Sequence, residues 1–483
     1  MTTMKGSCLL IAAISIAVCG AQTPRGMLPP HDAGATLPSG LSANQIADID
    51  GIANRVLKAT GVPSASIAIV KDGHIAYLHA YGLGRLDPPT PATPAMRYAI
   101  GSVSKQITAA AMLLLQQDGK LRLDDPVGKY LPLLTHANDI TIRMLLTHTS
   151  GYPDYWPQDY LMLPMSRPTT TEHILDTWAK GPLDFEPGTK WQYSNTNYVI
   201  AAHIIEILTG EPYLNTIERR ILTPLGMKSA MNVDNGLAIE SGAVGYSRAA
   251  LGPLRPAGRE GAGWMTGAFE LAITAEDLAR WDISLIDRSL LASSSYDEMF
   301  TPEKLKDGSD THYGLGVETR TIAGHAAIEH SGEATGYVSE NIVFPAERAA
   351  IVVLTNEMAA NAASQTGGDV APVILQSGAS KSASPVVAAE AKALAIFGGL
   401  QDGHIDRTML TSNLNSYFTA QTVGDFSSSL KPLGEPLSFH QTYQTLRGGM
   451  TFRVFEAKFP TQTLSVTTYE MPDGKLEQYL VIP

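Results

Sequence analysis

The stretch YAIGSVSKQITAAAMLLLQQDG, Tyr98–Gly119, sets two serines and a lysine at the head of a run that is otherwise apolar. Ile107, Ala110, Ala111, Leu114 and Leu115 lie along one side, with Ala109, Met112 and Leu113 around the other. The spacing predicts a central helix, buried on nearly every face. Ser102 and Lys105 are three residues apart, so they share a face where that helix begins. Serine is a poor nucleophile until a neighbour removes its proton. A lysine can accept that proton once burial or another cation brings its pKa from about 10.4 towards neutrality. The free N–H groups and dipole of a helix N-terminus also favour the negative charge of a tetrahedral intermediate.

Spacing alone does not make a site, because SSLK gives Ser428 and Lys431 the same separation with no chemical companions. A helix cap explains such a pair equally well. Ser102 and Lys105 differ in having two companions. In YSNTNYVIAA, Tyr193 and Asn195 stand one residue apart ahead of an apolar helix. In EHSGEATGY, His330, Ser331 and Gly332 close a strand-like run.

With these three elements the chain resembles the serine β-lactamase and penicillin-binding superfamily, whose motifs are S-x-x-K, S-D-N or Y-x-N, and K-T-G. Tyrosine in the second element and histidine in the third are similar to the class C β-lactamase-related group, which includes D-stereospecific peptidases and carboxylesterases. LLTHTSGY, FEPGTKWQYSN, ILTPLGM, ITAEDLARW and VVLTNE also look like this group and occur in its order, from about Gln45 to Ser377. The resemblance implies an acyl-enzyme on Ser102, with Lys105 relaying its proton. Tyr193 would be the general base, a phenolate stabilised by Lys105, and Asn195 would orient substrate or lysine. His330, Ser331 and Gly332 would line the substrate strand, and the backbone N–H groups of Ser102 and Glu333 would form the oxyanion hole.

Histidine in place of the lysine of K-T-G removes a permanent cation from where β-lactams put their carboxylate, and Glu333 follows directly. Hydrolysis of small esters or amides is therefore expected. A D-stereospecific peptidase or carboxypeptidase, a class C-like β-lactamase and a non-catalytic envelope binding protein are the alternatives. No G-x-S-x-G, H-E-x-x-H or P-loop pattern is present, and no histidines pair at metal-ligand spacing, so neither metal nor cofactor is implied.

The rest of the chain frames this site. Its 483 residues are 44% hydrophobic and 17% charged, which predicts a packed globular protein of more than one core. The net charge of −12 comes without runs of one sign, so nucleic acid is not an expected partner. Lys5 and the apolar CLLIAAISIAVC, Cys8–Cys19, read as a secretion signal cleaved after Ala21 (residues 1–21), too short to span a bilayer. That implies a secreted or periplasmic chain without a transmembrane span. Lipidation at Cys19 is the competing reading. Both cysteines lie in this segment, so the mature chain has no disulfide or thiolate chemistry.

After a leader (22–40), strands near both ends with helices between them predict an α+β fold. A single antiparallel sheet, closed by N- and C-terminal strands, would sit beside a helical subdomain over 41–378. Ser42 caps the first helix, which buries Ile46, Ile49, Ala53, Val56 and Leu57. SASIAIV and HIAYLHAYG form a hairpin about KDG. A polar linker (379–389) leads to a small α+β module (390–483) of helices followed by four strands, with hairpin signals at RGG and PDG. Its layout is similar to small NTF2-like domains, and its partner is unassigned.

Overall fold

A computed structural model describes residues 40–235, 242–375 and 388–483. The secretion signal, the leader apart from Gly40, and the linker up to residue 387 lie outside the described residues. The linker's last two expected residues, Ala388 and Ala389, already belong to a helix.

Helix α1, Ala43–Thr60, starts with a reciprocal cap. The Ser42 hydroxyl accepts from Gln45 N at 3.3 Å, and Gln45 Oε1 accepts from Ser42 N at 3.0 Å. It ends at Gly61, whose φ of 76° suits the left-handed stop. Ile49, Ala53 and Val56 are buried as the pattern requires, joined by Ile52, while Ile46 and Leu57 are partly covered. Strands β1, Ser64–Lys71, and β2, His74–Leu86, follow as a hairpin. Asp72 and Gly73 turn it with φ of 53° and 79°, the left-handed pair that a two-residue hairpin needs. Edge strand β3, Pro89–Pro91, pairs with the far end of β2.

The central helices are α2, Ser104–Gln117, α3, Asn195–Thr209, and α4, Ala275–Asp287. Strands then return as β4, Glu318–Ile322, β5, His325–Ala334, β6, Tyr337–Phe344, and β7, Ala349–Thr355, before helix α5, Ala362–Leu375. The seven strands form one antiparallel sheet in the order β3-β2-β1-β7-β6-β5-β4. The two ends of the fold meet where Ile67 pairs with Val353 and Ile69 with Ile351.

Both faces of this sheet are covered, which is why SASIAIV is apolar throughout rather than alternating. Ile67 and Ile69 face the core under α1 and α5. Ala68 and Val70 face the larger core that holds α2, α3 and α4. Helix α2 is buried from Ser104 to Leu115, the central helix its sequence predicts.

The C-terminal region contains α6, Ala388–Gln401, α7, Ser412–Tyr417, and α8, Ala420–Leu430. Strands β8, Ser438–Arg447, β9, Met450–Lys458, β10, Thr463–Glu470, and β11, Leu476–Ile482, make a four-stranded meander. Phe397, Phe426, Phe455 and Tyr479 fill its core, together with Tyr160, Ala249 and Met358 from the preceding region of the chain. The meander thus rests on the larger body. Arg447, just ahead of the β8–β9 turn of Gly448 and Gly449 at φ of 57° and 73°, lines the same cavity as Ser102.

Candidate active site

Ser102 sits in a single 3₁₀ turn, Gly101–Val103, that runs directly into α2, so the α-helix itself begins two residues after the serine. Gly101 has φ of 54°, and a Cβ there would lie 2.4 Å from Glu333 N. The turn carrying Ser102 is therefore pressed against strand β5. That strand runs through His330–Gly332 and on to Ala334, longer than the sequence pattern suggests.

Lys105 is fully buried. Its Nζ lies 2.9 Å from Ser102 Oγ, 2.8 Å from Asn195 Oδ1 and 3.1 Å from the Ala268 carbonyl oxygen. None of these three partners is charged. The rings of Tyr193, Phe269 and Tyr198 enclose the amine, with centroids 4.9, 5.3 and 5.5 Å away. Burial holds the lysine pKa well below its ordinary value; Asp154 opposes that shift and Arg447 reinforces it.

Tyr193 lies just ahead of α3, and Asn195 is the first residue of that helix. The Tyr193 hydroxyl is buried beside the Ser102 side chain without a hydrogen bond closing between them. Burial pushes its pKa up, while Arg447 and then Ser102 pull against that. Burial therefore disfavours the charged form of both groups, the phenolate of Tyr193 and the ammonium of Lys105.

Asn195 is held on both sides. Its amide nitrogen donates to Asp154 Oδ2 at 3.3 Å and to the Trp156 carbonyl at 3.1 Å, leaving its oxygen for Lys105. Its backbone N–H donates to Asp154 Oδ1 at 3.0 Å.

On β5, His330 is buried, with Nε2 2.8 Å from the Tyr313 hydroxyl and Nδ1 2.5 Å from the Ser331 carbonyl oxygen. Burial lowers its pKa to about 4, so it is neutral at physiological pH. The third motif therefore presents no cation. Ser331 is exposed, and Gly332 fits under Ile100. Glu333 is half-buried; its Oε1 accepts from Ala359 N at 3.1 Å, and burial together with Asp159 raises its pKa.

Ser102, Tyr193, Asn195 and the His330–Glu333 run line one cavity of about 350 Å³. The C-terminal meander supplies some of its wall through Tyr443, Leu446, Arg447, Phe452 and Tyr469. In the sequence Arg447 stands out only as a member of a turn signal, yet it reaches Asp154, Asp159 and Trp156 of the larger body. Asp154, in GYPDYW, carries no sequence signal of its role either. The look-alike pair separates cleanly: Ser428 and Lys431 are both exposed, and the Lys431 amine lies 3.4 Å from Asp402.

Known proteins share sequence and fold with this chain. The Beta-lactamase family model matches residues 49–373. A D-aminopeptidase of Gluconobacter oxydans (strain 621H) is 27% identical over 302 residues, 62% of this chain and 56% of the relative. The chain thus matches little more than half the length of that relative. The structure of D-amino acid amidase from Ochrobactrum anthropi SV3 complexed with L-phenylalanine amide aligns with a TM-score of 0.61 at 26% identity, covering 69% of this chain and 99% of that one. The octameric penicillin-binding protein homologue from Pyrococcus abyssi shares the fold over 91% of this chain and all of its own, with a TM-score of 0.61 and 21% identity. The family match over residues 49–373, in a fold shared with these solved structures, identifies the chain as a member of the beta-lactamase family.

Proposed function

We propose that the protein is a serine hydrolase that forms an acyl-enzyme on Ser102 and cleaves the amide bonds of small D-amino-acid derivatives. The observation that carries this reading is the contact of 2.9 Å between Lys105 Nζ and Ser102 Oγ, with only neutral partners around the amine. A neutral amine has two N–H bonds, which satisfy Asn195 and Ala268, and one lone pair, which is left for the Ser102 proton. Ser102 Oγ attacks the carbonyl carbon as that proton passes to Lys105. The N–H groups of Ser102 and Glu333 receive the oxyanion. The Tyr193 phenol donates its proton to the departing nitrogen, and the Lys105 ammonium restores it. Water then releases the acid by the same steps in reverse.

Substrate size and charge follow from the cavity. A volume of about 350 Å³ lies at the small end of ligand pockets, which suits an amino-acid amide or a short peptide better than a polymer. Neutral His330 gives a β-lactam carboxylate no cation, so β-lactam turnover is expected to be poor. The D-aminopeptidase and D-amino acid amidase among the similar proteins favour amides over esters. Secretion, inferred from the apolar N-terminal stretch, belongs to the same proposal. Among the described residues no helix is long and apolar enough to cross a membrane.

The test is hydrolysis of D-phenylalanine amide, L-phenylalanine amide, a p-nitrophenyl ester and a chromogenic cephalosporin by the mature chain and its Ser102→Ala variant. D-amide turnover that depends on Ser102 supports the reading. Equal turnover by both proteins on every substrate would overturn it.

A further inference from the structure

We propose that Arg447, delivered by the C-terminal meander, is a positioning residue of the reaction: it neutralises Asp154, the carboxylate that holds Asn195 and through it Lys105, so the meander belongs to the active site. The inference rests on the acyl-enzyme reading and goes beyond it, because it gives the C-terminal region a chemical task.

The guanidinium is engaged on every nitrogen. Nε lies 3.2 Å from Asp154 Oδ2, Nη1 3.4 Å from Asp159 Oδ1 and 3.0 Å from the Tyr469 hydroxyl, and Nη2 donates to the Trp156 carbonyl at 3.2 Å. Its Cζ lies 5.1 Å from the Tyr193 ring centroid. The turn behind it fits closely, since a Cβ on Gly448 would come within 2.8 Å of Pro157 Cβ. A charge held this firmly is set for its field as much as for its contacts.

What the field does follows from the path to the serine. Asp154 is fully buried and bonds both the backbone and the side chain of Asn195, whose oxygen takes the Lys105 amine. An unpaired carboxylate there would stabilise the lysine as an ammonium, which has no lone pair for the Ser102 proton. Arg447, which also contacts Asp159, offsets that charge. The other titratable groups facing Lys105 are Tyr193, Tyr198, His148 and His330. Burial keeps both histidines and both tyrosines uncharged, so Asp154 and Arg447 are the charges that set the balance. Asp154 in turn faces Asp159, Asp184, Tyr155 and Tyr469 besides Arg447.

The experiment is the pH dependence of Ser102 labelling by a fluorophosphonate probe, measured on the full mature chain. Wild type should show an acid limb, the rise in rate as Lys105 loses its proton. Arg447→Met should move that limb to higher pH by about one unit, roughly a tenfold loss on its acid side that disappears at high pH. Asp154→Asn should move it the other way, so the sign remains readable even if one variant folds poorly. The double variant Asp154→Asn/Arg447→Met should return the limb towards its original position. A limb that stays in place in both single variants would overturn the proposal while leaving the acyl-enzyme intact. An unlabelled wild-type chain would overturn both.

Discussion

Gly332 lies so close beneath Ile100 that a Cβ at residue 332 would sit 1.9 Å from the Ile100 carbonyl oxygen. That contact sets the strand bearing His330 against the turn bearing Ser102. Gly332→Ala must therefore push the strand backbone away from the turn backbone, since the nearest obstacle is the Ile100 carbonyl rather than the end of a flexible side chain. The expected result is destabilisation by about 2 kcal/mol or more and loss of Ser102 labelling, checked by thermal melting and probe incorporation.

Lys105→Met keeps the stem of the side chain but removes the amine that reaches Ser102, Asn195 and Ala268. Loss of a positioned base costs about 10²–10⁴ in rate. Acylation should fall by that factor. Stability should hold or rise, because a buried polar head has gone, although Asn195 Oδ1 loses a partner. Stopped-flow acylation and a melting curve measure the two effects separately.

His330→Lys would restore the cation that the third motif lacks. A charge-assisted contact to a substrate carboxylate should lower KM for a cephalosporin by about tenfold. Wild type should show no inflection from residue 330 between about pH 5 and 8, since burial lowers the histidine to about 4. Steady-state kinetics across that range checks both statements.

Glu270 is buried, accepts from Gly267 N at 2.9 Å and has its pKa raised to about 8. The folded state holds a proton that the unfolded state releases near 4.5, so this group's stabilising contribution is lost as pH rises from about 4.5 through 8. Glu270→Gln cannot ionise. Relative to wild type it should be more stable at about pH 8.5 than at about pH 5, by at least ~1 kcal/mol. Melting at the two pH values gives the comparison.

Local patterns carried much of this fold. The cap at Ser42, the turn at Asp72–Gly73 and the apolar SASIAIV each encode their own geometry, because the forces that set them act within a few residues. The helical burial of α2 was equally readable, and with it the dryness around Lys105. Ser102, Lys105, Tyr193 and Asn195 do meet in space, 90 residues separating the lysine from the asparagine.

What stayed hidden was long-range and electrostatic. Asp154 and Arg447 are 293 residues apart, and nothing in YPDYW or LRGG announces that the two segments touch. The protonation of Tyr193 depends on how thoroughly the surrounding chain excludes water, which a motif does not record. His330 likewise has the sequence of a candidate anion site, whereas its ring is turned to Tyr313.

The central claim is that Ser102 carries the acyl group, and peptide-mapping mass spectrometry of the mature chain quenched during turnover of a p-nitrophenyl ester tests it most directly. The account predicts the acyl adduct on the peptide containing Ser102 and none in Ser102→Ala. An adduct on another residue, or turnover that continues unchanged in Ser102→Ala, would contradict it.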